Sequence, residues 1–252
     1  MSAVGEALGA PREAGFITKT LALVRKDMLT ETRARDTLPP MLAFSLAVTL
    51  LLAFTLPGAP SFARPVTVPF GTAPLADVLG GFLWITVLFA GLIGFARTFE
   101  TESHENAIDS LLLVPVDRSA LFVAKATANL AFIALVQVVL IPAFMLLFDA
   151  RLGSGWAAFI LVVALVDIGF VAIGTLFAAL AAQTTSRELI LPILALPALV
   201  PVFIAAVELT SDLLLGEGLG AVAQRGWFGI LVAYDLVFAI VGALAFEFAL
   251  EG

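Results

Sequence analysis

The chain has 252 residues, of which 61% are hydrophobic and 13% charged, with a mean hydropathy of +1.09 and a formal net charge of −7. That apolar content is more than a water-soluble domain buries, so the composition excludes a soluble globular protein and identifies an integral membrane protein. Long unbroken apolar runs exclude a β-barrel, the acidic balance argues against nucleic acid as a partner, and with no cysteine there is no disulfide framework, thiolate zinc site or covalent haem attachment.

Residues 1–15 are rich in Ala, Gly and Glu and lack the basic start and apolar run of a cleavable signal peptide, so they are expected to form a flexible tail. From Phe16 to Asp36 the apolar residues Ile17, Leu21, Val24 and Met28 recur at helical spacing, with Lys19, Arg25, Lys26, Arg33 and Arg35 at other positions. This pattern suits a helix lying in the membrane interface with its basic side toward the headgroups, and an ordinary cytosolic helix is the alternative. Pro39 and Pro40 are expected to end it. Six spans follow, at about 41–56, 75–95, 121–148, 156–182, 189–207 and 227–248, since a hydrocarbon core of about 30 Å takes roughly 20 apolar residues per helix. The fold class expected is therefore an all-α integral membrane protein, with residues 16–252 forming one permease-like domain.

The connection from Pro57 to Pro74 holds five prolines and reads as an extended loop. The glycines Gly216, Gly218 and Gly220 read as turns in a later loop. Lys and Arg divide ten against three between alternate connections, the three being Arg64, Arg151 and Arg225. This places the N-terminus, the loop after the second span and the C-terminus in the cytoplasm, and Trp156 and Trp227 then open spans at the outer interface.

The loop Arg97–Lys125 is unlike the others. Ile108, Leu111 and Leu112 share one helical face, Glu105 and Asp109 stand one turn apart on another, and Pro115 with Asp117 stops the helix. A short helix of this kind fits an apolar ridge into the groove of a soluble partner, with Glu102 and the neighbouring acids setting orientation; a helix resting on the membrane is the alternative. His104 is the only histidine, and with no second histidine or thiolate it makes no metal site. No Gly-x-x-x-x-Gly-Lys loop occurs, so any nucleotide that drives the protein binds another chain.

Within the spans, Asp167 and Asp235 are the costly residues, each worth roughly 2.5 to 3.5 kcal/mol at a helix centre. They read either as a substrate or proton path or as helix-packing contacts. Pro192, Pro197 and Pro201 mark the fifth span as kinked or partly unwound, and therefore covered by protein or lining a cavity. Gly174, Ala178 and Ala182 have the small-xxx-small spacing of close helix approach.

The stretches RKDMLTETRARDTLPPMLAF at Arg25 to Phe44, IDSLLLVPVDRSALFVAK at Ile108 to Lys125 and LILPILALPALVPVFIAAVE at Leu189 to Glu208, in this order of elements, resemble permease subunits of the ABC-2 exporter type. More closely, they resemble the CcmB family, permease subunits of the cytochrome c maturation system. The resemblance covers about residues 17 to 250, with Asn106 at the family's glycine position and His104 at an acidic one. It implies a non-catalytic subunit of the bacterial inner membrane that couples ATP hydrolysis by a CcmA-like ATPase to haem delivery or release of a CcmE-like haem chaperone. CcmC-like and CcmD-like membrane partners are implied too, with ATP and haem held by partners and no cofactor on this chain; a homodimer is compatible. An ABC-2 exporter of lipid, glycan or drug, a proton-coupled carrier relying on Asp167 and Asp235, and a membrane-embedded enzyme are the competing classes, and the last lacks a polar catalytic cluster.

Overall fold

The structure is a computed structural model, and it describes residues 15–56, 63–69, 71–98, 118–182, 184 and 187–249. Among them, α1 (Phe16–Ala34) ends where Arg35 adopts the left-handed conformation with φ 57° and returns its N–H to Glu31 O. α2 (Leu38–Thr55) starts almost at once. The Thr37 and Leu38 amides donate to the Glu31 carboxylate at 3.1 and 2.7 Å, and Pro39 and Pro40 have no N–H to satisfy. The prolines thus open α2 instead of ending α1 as expected, because a missing donor costs nothing in a first turn.

The expected extended loop after α2 is in part a hairpin, which corrects the sequence reading. β1 (Pro65–Val68) pairs antiparallel with β2 (Gly71–Pro74), with Pro65 opposite Pro74 and Val68 opposite Gly71. Pro65 and Pro74 stand at the outer ends of the strands, where they cost the ladder least, and Gly71 opens β2 at φ 142°, a conformation open to glycine. Leu75 N–H donates to Arg64 O at 2.9 Å and feeds the chain into α3 (Leu75–Arg97).

α4 (Arg118–Leu147), a 3-10 turn (Gly153–Gly155), α5 (Trp156–Ala182), α6 (Arg187–Leu214), a short α7 (Leu219–Gln224) and α8 (Gly226–Ala249) complete the chain. Among the described residues, five helical segments are long and apolar enough to cross a bilayer: Leu38–Thr55, Leu75–Arg97, Ser119–Leu147, Gly153–Ala182 and Leu189–Leu214. α8 is apolar over the shorter stretch Gly226–Gly242. The chain is therefore a multi-pass, all-helical membrane protein. α6 continues seven residues past the expected end at Val207, because Thr210, Ser211 and Asp212 all find partners there. Gly216 makes a turn at φ 95° as expected, whereas Gly220 belongs to α7.

α3 and α5 are the inner helices: 61% of each apolar window is buried, against 17% for α2. Their contact is reciprocal. The Phe170 ring of α5 occupies the space where Gly91 of α3 lacks a Cβ, and the Phe95 ring of α3 does the same at Gly174 of α5. Phe95 meets Phe170 edge-on at 5.1 Å, Phe170 meets Phe203 of α6 at 5.1 Å, and Trp84 meets Phe203 at 6.2 Å, so one aromatic chain joins three helices. The stripe expected to permit close approach does so at Gly174, with Ala178 buried beside it.

Gly174→Val should therefore destabilise the protein by about 1–3 kcal/mol through overpacking, and Phe95→Ala should recover part of that loss. Thermal unfolding of the two single variants and the double variant in detergent measures the coupling; additive losses would mean that the ring and the glycine do not share the site.

Candidate functional site

α1 is amphipathic along its length. Phe16, Ile17, Leu21 and Leu29 are exposed, while Met28 packs on the core and the inner face lies along α4. The four-residue apolar stripe read from the sequence thus divides, Ile17 and Leu21 facing outward and Met28 inward. An exposed apolar face beside transmembrane helices suits a helix in the membrane interface.

The inner face of α1 enters a buried polar junction. Lys125 of α4 is 4% exposed; its Nζ lies 3.2 Å from Asp27 Oδ2 of α1 and donates to Thr98 O, at the C-terminal end of α3, at 3.1 Å. A cation at a helix C-terminus complements the unsatisfied carbonyls there. Thr98 Oγ1 and Asn129 Oδ1 share a hydrogen bond at 3.0 Å, and Asn129 Nδ2 donates to Thr175 Oγ1 of α5 at 3.0 Å. One connected chain of polar groups therefore links α1, α3, α4 and α5 at the end of the bundle from which residues 99–117 depart.

Higher on the same face of α4, Gln137 Nε2 donates to Asp167 Oδ1 of α5 at 2.7 Å, with both residues buried. Lys125, Asn129, Ile133 and Gln137 are spaced four apart and form a single buried stripe. Sequence reading took Asp167 alone from this arrangement. The signal that would have found its partners was the four-residue spacing of polar side chains inside an otherwise apolar run.

Asp235 lies elsewhere. It projects from α8 onto Gly169 of α5, where a Cβ would collide with Oδ1, and neither carboxylate oxygen has a hydrogen-bond partner among the described residues. Gly169 follows Asp167 by two residues, about 200° around α5, so the two aspartates occupy different faces of that helix and do not meet there.

α6 is helical throughout, with Pro192, Pro197 and Pro201 inside it, so the unwinding considered from the sequence does not occur. The Tyr234 hydroxyl of α8 donates to the Ala198 carbonyl, between Pro197 and Pro201, where the regular ladder is weakest. Near the other end of α6, Trp84 Nε1 of α3 donates to Thr210 Oγ1 at 2.8 Å, Ser211 bonds the Asp77 carboxylate, and Asp212 pairs with Arg225 at 3.1 Å. An apolar cleft of about 350 Å³ opens between α3 and α6, lined by Trp84, Ile85, Phe203 and Val207 with Glu208 among its walls. The loop residues Glu102, Glu105, Ile108, Asp109, Leu111, Leu112 and Pro115, together with His104, lie outside the described residues.

The family model described as CcmB protein matches residues 18–252. A curated protein of Rhodobacter capsulatus named heme exporter protein B is 31% identical over 147 residues, 56% of this chain. The match spans 66% of that relative's length, just under two thirds. With a family model extending from α1 through α8, the chain belongs to the CcmB protein family.

Proposed function

We propose that the chain is the permease subunit of an ABC-type haem exporter serving cytochrome c maturation, driven by an ATPase on a separate polypeptide. What supports this reading is family membership over nearly the whole chain, together with the relative's name. The permease domain comprises residues 16–252 with six spans, α8 being the sixth, and sits in the bacterial inner membrane with both termini in the cytoplasm. ATP and haem are held by partner chains: a CcmA-like ATPase, CcmC-like and CcmD-like membrane subunits and, indirectly, a CcmE-like chaperone.

In this reading residues 99–117 receive the ATPase, and the Lys125 junction carries its movement inward. Both ends of that segment are anchored in the bundle, at Thr98 by the Lys125 ammonium and at Arg118 by the start of α4. A displacement of the segment pulls on Thr98 and Lys125 together, and through Asp27 it reaches α1. The competing carrier reading would use Asp167 and Asp235 as steps of one proton path; their placement on different faces of α5 weighs against it.

Leu111→Ala with Leu112→Ala should leave the subunit in the membrane, weaken association with the ATPase by several kcal/mol and abolish holocytochrome c formation. Pull-down from mild detergent and the cytochrome yield measure this, and wild-type values for both would return the segment to a mere rest on lipid.

Lys125→Met should cost up to about 3 kcal/mol by removing the nearer and more buried of the two cations at Asp27, leaving Lys26 at 4.0 Å, and adding Asp27→Asn should restore much of that stability without restoring transport-coupled ATPase activity. Thermal unfolding and ATPase assays of the reconstituted complex separate the two effects.

Orientation is tested with single cysteines in this cysteine-free chain. An impermeant reagent added outside should label Leu215→Cys, in the connection after α6, and spare Ser103→Cys; the reverse pattern would invert the topology.

A further inference from the structure

Asp235 lies about 13 Å along α8 from its start at Gly226, well inside a 24-residue apolar helix. Its residue is 7% exposed, and both carboxylate oxygens are without a hydrogen-bond partner among the described residues. The side chain has space only because Gly169 of α5 has no Cβ, and Val202 of α6 packs 3.5 Å from the position that Cβ would take. Three helices therefore close over one carboxyl group with apolar atoms.

The charged groups on the helices packed against α8 serve other contacts. Asp167 on α5 turns to Gln137, Lys125 on α4 binds Asp27 and Thr98, and Asp212 near the end of α6 is paired with Arg225. Glu208 lies six residues beyond Val202, about 9 Å further along α6, and is exposed. α7 carries no ionisable side chain, and Tyr234, beside Asp235 on α8, donates to Ala198 O. Among the described residues an ionised carboxylate in such a setting has neither a counter-ion nor a donor, a far greater cost than burying the neutral acid.

We propose that Asp235 is a proton-binding site whose bound proton holds α8 against α5 and α6. The carboxylate takes up a proton to become the neutral acid as α8 seats on Gly169, and releases it to water when α8 lifts away. Linkage sets the sign. The seated arrangement binds the proton and the lifted one loses it, so raising the pH favours lifting, by up to about tenfold in the equilibrium per pH unit once the lifted carboxyl ionises. This site is independent of whether the cargo is haem, and it requires no proton path through the bundle.

The test uses the assembled complex in lipid. The difference infrared spectrum between wild type and Asp235→Asn, which preserves shape and neutrality, should contain the carbonyl stretch of a protonated carboxylic acid that is lost in the variant. Spin labels on cysteines replacing Leu236 of α8 and Ile160 of α5, both exposed, should show the inter-helix distance lengthening as pH rises, and Asp235→Asn should hold it at the short value. A carboxylate band in place of the acid band, as a cation from a partner subunit would produce, overturns the proposal. So does a pH-dependent distance that is unchanged by Asp235→Asn.

Discussion

The bundle depends on a two-way exchange between α3 and α5, in which each helix gives up a side chain at one level and supplies a phenyl ring at the next. Gly91 receives Phe170, Gly174 receives Phe95, and the two rings then meet edge-on. In a bilayer, apolar surface gains little by leaving lipid for protein, so tight packing has to supply the association that the hydrophobic effect supplies in water. Two rings seated in glycine notches give that contact area in a form that admits one register. Phe203 and Trp84 extend it to α6, whose three prolines make it the helix least able to hold its own geometry.

Around this apolar centre the polar residues obey a second constraint: inside hydrocarbon each donor and acceptor has to find its partner within the protein. Asn129 has Thr98 and Thr175, Asp167 has Gln137, and the Trp84 indole has Thr210. The concentration of these bonds along one stripe of α4 makes that helix the connection between the interfacial helix and the inner pair. Asp235 departs from the rule, and a side chain that costs stability without a visible return is where function is to be sought.

Composition alone identified the membrane class, and the apolar runs placed most helices within a few residues of their observed ends, because a lipid-spanning length is written directly as a count. Contacts between distant segments were far less legible. Asp167 was visible as an isolated charge, but nothing in its neighbourhood named Gln137, 30 residues earlier, as its partner. Proline misled at the start of α2 and in the hairpin, since its effect depends on whether a missing N–H falls where a donor is needed. The apolar run set the expected end of α6 at Val207, whereas Thr210, Ser211 and Asp212, each with a partner on another segment, lie in a helix that continues to Leu214. Membership of the family was readable from three stretches, one of which, Ile108 to Lys125, lies outside the described residues as far as Asp117.

The carboxylate of Glu31, bonded to the amides of Thr37 and Leu38, ties the opening turn of α2 to a residue seven positions upstream. The bend between α1 and α2 is therefore a stiff elbow, and a tilt imposed on one arm is passed to the other. It also gives biosynthesis a direction. The segment that completes the first transmembrane turn leaves the ribosome before the turn itself, so α2 can enter the bilayer with its leading amides already covered.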